Sequence, residues 1–319
     1  MKMAFASRPL AAALLCMLTS VAFGAQVLAP NSDEDDLVPT GKGWGERAAP
    51  TPGYTDHGNG NAHSQAPGRI SGSGINYHGG PLILGTTHIY YIWYGNWFSS
   101  NNTATSILPQ LASYVGGSPY FNINTTYFDG SNRHVTGAIS YGGSMSMGYT
   151  HGTALSDNNI QQIVADAIAS QLPKDTNAVY FVLTSADVSA TSGFCTQYCG
   201  WHANGSIAGS DIKYAFVGNP DRCPNACEEQ LIGPNGNAGA DGMASIIAHE
   251  LEESVTDPDL NAWYDRRGME NADKCAWTFG STYATPNGAL ANMKLGSRDY
   301  LIQRNWVNAS GGLCAKSYP

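Results

Sequence analysis

The clearest apolar pattern in the chain is Thr87-His88-Ile89-Tyr90-Tyr91-Ile92-Trp93-Tyr94. It is rich in β-branched and aromatic residues, is closed by Gly95-Asn96, and predicts a buried strand. Pro81-Leu82-Ile83-Leu84, just before it, has the same strand-like character. Residues 104–115 read as a helix. Residues 122–128 and 134–140 read as a strand pair around the turn Asp129-Gly130-Ser131-Asn132. Ser156-Asp157 caps a helix whose Ile160, Ile163, Val164, Ala167, Ile168 and Leu172 recur at helical spacing. Residues 178–184 and 212–217 predict short strands, residues 241–256 a further helix, and Tyr300-Leu301-Ile302 a last strand. Strands and helices that mix without strict alternation predict an α+β fold, a mixed sheet with packed helices. The C-terminal half is loop-rich, and order is expected from about residue 71 to 319 as one domain.

The first residues carry a different pattern. Lys2 and Arg8 precede an apolar run from Leu10 to Leu18, and Ala22 and Gly24 supply a small-x-small site. Residues 1–24 therefore read as a signal peptide. The run is short of the roughly 20 residues that span a bilayer, and no later stretch reaches that length, so no membrane span is expected. Residues 25–70 lack apolar periodicity and contain Ser32-Asp33-Glu34-Asp35-Asp36, which predicts a disordered leader or linker, in one form a pro-segment. Removing Lys2 and Arg8 takes 16 basic residues to 14 against 25 acidic ones, a net charge of −11. Such a chain has no bulk attraction for nucleic acid. Cys16 leaves with the signal. Cys195, Cys199, Cys223, Cys227, Cys275 and Cys314 remain, an even number that reads as a disulfide framework of an exported protein, secreted, periplasmic or wall-bound. The pairing is open among 15 arrangements.

The chemistry concentrates in the helix around Ala248-His249-Glu250-Leu251-Glu252-Glu253. At about 100° per residue, Met243, Ile246, Ile247, Leu251 and Val255 define a core face. Glu250 falls inside that arc, His249 and Glu253 on its border, and Glu252 on the opposite side. A carboxylate aimed at apolar surroundings is costly unless it is paired, hydrogen-bonded or bound to metal. His249 and Glu253 lie four apart, so one helical turn stacks them toward one ion. The arrangement matches the zincin helix His-Glu-x-x-His with Glu253 in place of the second histidine. Glu270 is the expected third zinc ligand, Asp273 the outer support that steadies His249, and Glu250 the catalytic base on metal-bound water. Asp257, Asp259 and Asp265 compete as ligands. Asp257-x-Asp259-x-Asn261 offers calcium a weaker site, lacking the EF-hand glycine and final glutamate.

Several further motifs occur in one order. They include Tyr77-His78-Gly79-Gly80-Pro81, Ile92-Trp93-Tyr94-Gly95-Asn96-Trp97, Phe194-Cys195-x3-Cys199-Gly200-x-His202, Cys223-Pro224-x2-Cys227 and Gly239-Ala240-Asp241-Gly242-Met243. On these, residues 75–319 resemble the phosphate-induced/EXORDIUM family of secreted proteins, best known from plants. The resemblance implies an extracellular or cell-wall location and no particular reaction. The His-Glu-x-x-Glu helix is read as the mark of a non-plant branch, and His202, as a residue common to both branches, is read as structural. Two functions follow as expectations. One is a secreted zinc-dependent, peptidase-like hydrolase acting on an extracellular peptide. The other is a non-catalytic module that binds a cell-wall component or a signalling partner, with Trp93, Tyr94 and Trp97 as candidate sugar-stacking rings.

Overall fold

The run Thr87–Tyr94 forms β1, and strands pair with it on both edges, which places it in the middle of the sheet and suits its aromatic and β-branched residues. The computed structural model describes residues 37–42, 74–97 and 103–319. Residues 1–24, expected as a signal peptide, and the expected leader other than 37–42 lie outside the described residues. After β1 come α1 (Ala104–Tyr114), β2 (Ile139–Met147), α2 (Asp157–Ser170), β3 (Ala178–Thr184), β4 (Gly200–Ile207), β5 (Ser210–Val217) and α3 (Ala238–Thr256). The sheet order is β2-β1-β3-β5-β4. β2, β1, β3 and β5 run parallel, and β4 returns antiparallel to β5 as the outer strand. The class is α+β with a mixed sheet and packed helices.

Glycines on β4 show which helix covers which face. A Cβ at Gly200 would meet Ile246 and Glu250 of α3, whereas one at Gly205 would meet Gln161 of α2. Successive strand residues point to opposite faces. The even positions of β4 therefore face α3 and the odd positions face α2. α1 packs beside α3. The helix α2 starts where expected: Ser156 accepts from the Asn159 amide, and Asn159 reaches back to the Ser156 amide, closing a capping box. Asn237 caps α3 by accepting from Ala240 N at 3.1 Å.

Two-stranded ribbons follow α3, among them Met293–Leu295 with Arg298–Tyr300 and Asn305–Val307 with Leu313–Ala315. They cover the side of α3 that the sheet leaves open, so residues 239–256 are buried all round. The disulfides are Cys195–Cys223, Cys199–Cys227 and Cys275–Cys314, three in the C-terminal half. Among the described residues no helix is long and apolar enough to cross a membrane.

Some local expectations fail for identifiable reasons. Residues 122–128 do not pair as a strand: Phe121–Thr126 is a 3-10 helix, and only Phe128 and His134 form an antiparallel bridge. Asn124, Thr125 and Thr126 bond backbone carbonyls three residues back, and such short polar side chains divert the backbone from a ladder. Pro81 to Leu84 is loop. Tyr300 ends a strand that begins at Arg298, and Leu301 and Ile302 continue as loop. Trp93, Tyr94 and Trp97 are buried, and the Trp97 indole donates to the Tyr94 and Leu183 carbonyls. These rings are core, not a sugar platform. Residues 37–42, within the segment expected as a leader, lie as a strap on the body. Leu37 N donates to Arg266 O, His202 N donates to Gly41 O at 3.1 Å, and Lys42 pairs with Asp157.

Candidate metal centre

His202 is at an even position of β4, so its imidazole points toward α3. There it enters a cluster with His249, Glu253, Glu270 and Asp273, none of them more than 3% exposed. His249 and Glu253 are stacked by one turn of α3, with His249 Nε2 3.0 Å from Glu253 Oε1. Glu270 and Asp273 come from the segment after α3 and are locked to each other and to the helix. Glu270 N donates to Asp273 Oδ2 at 3.2 Å, and Asp273 N donates to Glu253 Oε1 at 3.0 Å. Asp273 opens the 3-10 turn Asp273–Cys275, which the Cys275–Cys314 bond ties to the tail.

The donors fall into two triads that share Glu253. In the first, His202 Nε2 is 3.1 and 3.2 Å from the two oxygens of Glu270 and 3.7 Å from Glu253 Oε2. In the second, His249 Nε2 is 3.0 Å from Glu253 Oε1 and 3.7 Å from Asp273 Oδ1. A tetrahedral zinc with bonds of about 2.0–2.1 Å sets its donors about 3.3 Å apart. The observed separations bracket that value. Among the described residues these are the two His/Cys/Asp/Glu groups with donors close enough for a cation.

Electrostatics agree with the donor chemistry. Burial drives the His202 imidazole down to about 3, outweighing the opposing pull of Asp273, so the ring is neutral and offers a lone pair. Burial, reinforced by Asp273, pushes the Glu253 carboxyl up to about 7. Glu270 is also raised well above the usual range, by burial first and then by Glu253, Asp257, Asp273 and Glu250. A neutral His202 imidazole and carboxylates held at this cost suit a divalent cation, whose charge offsets the desolvation.

The conserved region of phosphate-induced protein 1 matches residues 75–303. The chain belongs to this family. Among its relatives, Protein EXORDIUM-like 3 of Arabidopsis thaliana is 31% identical over 269 residues, covering 73% of this chain and 80% of that protein. Protein EXORDIUM-like 5 of the same plant is 32% identical over 272 residues, covering 73% and 75%. Protein PHOSPHATE-INDUCED 1 of Nicotiana tabacum is 26% identical over 230 residues, covering 63% and 71%. No solved structure matches the chain. All five donors lie inside the segment that defines the phosphate-induced protein 1 family, while Cys314 lies beyond it.

The ligand set expected from spacing, His249, Glu253 and Glu270, is thus divided between the two triads. Asp273, expected as outer support, stands as a donor beside His249. Glu250 lies against β4 at Gly200, outside both triads but near enough to raise the Glu270 carboxyl. The competing aspartates have other work. Asp257 Oδ1 accepts from the Asn261 and Ala262 amides, Asp259 pairs with Lys213 at 2.6 Å, and Asp265 holds the Arg267 and Met269 amides and Lys274. Glu252, expected on the side opposite the core face, is buried and bonded to Asn305, because the C-terminal ribbon covers that side of the helix. His202 was hidden from local spacing, being 47 residues before His249 on another element. Its sequence signal is the motif Phe194-Cys195-x3-Cys199-Gly200-x-His202, which points to a structural residue and not to a donor.

Proposed function

We propose that this family member is an exported, non-catalytic module whose sheet edge and central helix are clamped by a buried zinc centre on His202, His249, Glu253, Glu270 and Asp273. The observation that carries the reading is the pairing of metal-like donor spacing with closure. All five donors are buried, whereas a catalytic centre must admit water and substrate to the ion. Export rests on the three disulfides, which persist in oxidising compartments. An extracellular peptide or cell-wall component would then meet the surface rather than the centre. An open groove lined by Tyr77, Pro81, Leu82, Asp129 and Arg133 offers one such face. Elemental analysis of the secreted protein tests the clamp: bound zinc is expected, and its removal by a chelator should lower the melting temperature by several degrees. A protein that holds no zinc after incubation and dialysis would sink the proposal.

Peptide hydrolysis with Glu250 as the base is the second reading. The nearness of Glu250 to Glu270 favours it. It requires a way in, and the strap on β4 at His202 is a cover that proteolysis of the leader would remove. Turnover that appears only after the leader is cleaved, and that Glu250→Gln abolishes with zinc retained, would establish it over the non-catalytic module.

A further inference from the structure

The centre described above leaves the number of ions open, and the orientation of one side chain bears on it. The two oxygens of Glu253 face different histidines: Oε1 is 3.0 Å from His249 Nε2, and Oε2 is 3.7 Å from His202 Nε2. Each histidine has its own second carboxylate. Glu270 lies at 3.1 and 3.2 Å from His202, and Asp273 at 3.7 Å from His249. We propose that the centre is dinuclear, with one divalent cation between His202 and Glu270, a second between His249 and Asp273, and the Glu253 carboxylate bridging them.

This rests on the metal reading of the cluster and deepens it. One ion placed in either triad takes one imidazole, one terminal carboxylate and one oxygen of Glu253, and leaves the other triad vacant. A carboxylate that offers one oxygen to each side holds two ions at the spacing of known two-metal sites, about 3.5–4 Å. Both imidazoles are buried, as are all three carboxylates, so none of the five is a surface group gathered by chance. Each triad is one imidazole with carboxylate oxygens, a donor set that suits zinc or manganese better than copper(I) or a thiolate metal.

The test uses the full secreted chain, stripped with a chelator, reloaded with zinc and dialysed, with zinc then measured per chain. Two equivalents are expected. One equivalent overturns the dinuclear centre and leaves the single-ion clamp standing. None overturns both. Loading with two equivalents of manganese(II) gives a readout that does not depend on any variant. Two bridged ions give a spin-coupled electron paramagnetic resonance spectrum, whereas the six-line spectrum of isolated ions would overturn the bridge. His202→Ala, checked for folding by circular dichroism, is expected to halve the zinc from two to one. Retention of both ions by that variant would refute the placement at His202.

Discussion

Gly200 stands where β4 passes beneath α3. A Cβ there would lie 2.5 Å from Ile246 Cγ2, 2.9 Å from the Phe216 carbonyl and 3.1 Å from Glu250 Oε1. Ile246 and Glu250 belong to the packed helix α3 and Phe216 to the paired strand β5, so none moves cheaply. Gly200→Ala is expected to cost about 1–3 kcal/mol, as overpacking of a filled core does, measured by urea denaturation. His202 is two residues further along the same face, so the variant should also lose zinc more readily to a chelator. At this scale the sequence was half legible. His249 and Glu253 announce themselves by their spacing on one helix, because short-range geometry follows from helical periodicity, whereas Glu270 and Asp273 are suggested only by analogy with the zincin pattern downstream of such a helix. His202 and the burial of Glu252 are announced by neither, since both depend on which distant strand or ribbon covers the helix.

At the scale of elements, the first turn of α3 sets two effects against each other. A helix N-terminus favours an ionised aspartate. Asp241 sits there and accepts from Asn235 N at 2.9 Å and Asn235 Nδ2 at 2.6 Å. Burial nonetheless wins and raises its carboxyl from the ordinary 3.8 to about 6. The folded chain therefore holds a proton that the unfolded chain releases within this window. The contribution to stability is fully present below about pH 3.8 and is lost as pH rises through about 6. Melting curves of the wild type and Asp241→Asn between pH 4 and 7 should show it: the falling trend flattens in the variant. Elements whose composition matches their burial were readable in advance, among them β1, β3, β5 and the capped α2. β4 was not, because Gly200–Ile207 mixes glycine, asparagine and serine with few apolar residues, as suits an outer strand.

For the whole molecule, the Cys275–Cys314 bond joins the segment carrying Asp273 to the C-terminal ribbon across 39 residues. That ribbon places Asn305 against Glu252 of α3, and the Tyr127 hydroxyl donates to the Trp306 carbonyl at 2.7 Å. Closing a loop of this length restricts the unfolded chain by on the order of 3–4 kcal/mol. The double variant Cys275→Ser, Cys314→Ser should melt at lower temperature and release zinc faster in a chelator competition, because Asp273 loses its tether. Cys195–Cys223 and Cys199–Cys227 anchor the loops on either side of the β4–β5 hairpin instead, and their loss should affect stability more than zinc release.

The strap has a consequence for solubility. Gly41 lends its carbonyl to the His202 amide on the outer strand of the sheet, and it can approach so closely only because it lacks a side chain: a Cβ there would fall 2.0 Å from the His202 carbonyl oxygen. A strand with open backbone donors is a template on which other chains assemble. By capping that strand at His202, the strap is expected to hinder self-association there. A version of the protein that begins at residue 74 would present that strand bare, and light scattering should find it associating at concentrations where the strapped chain remains monomeric.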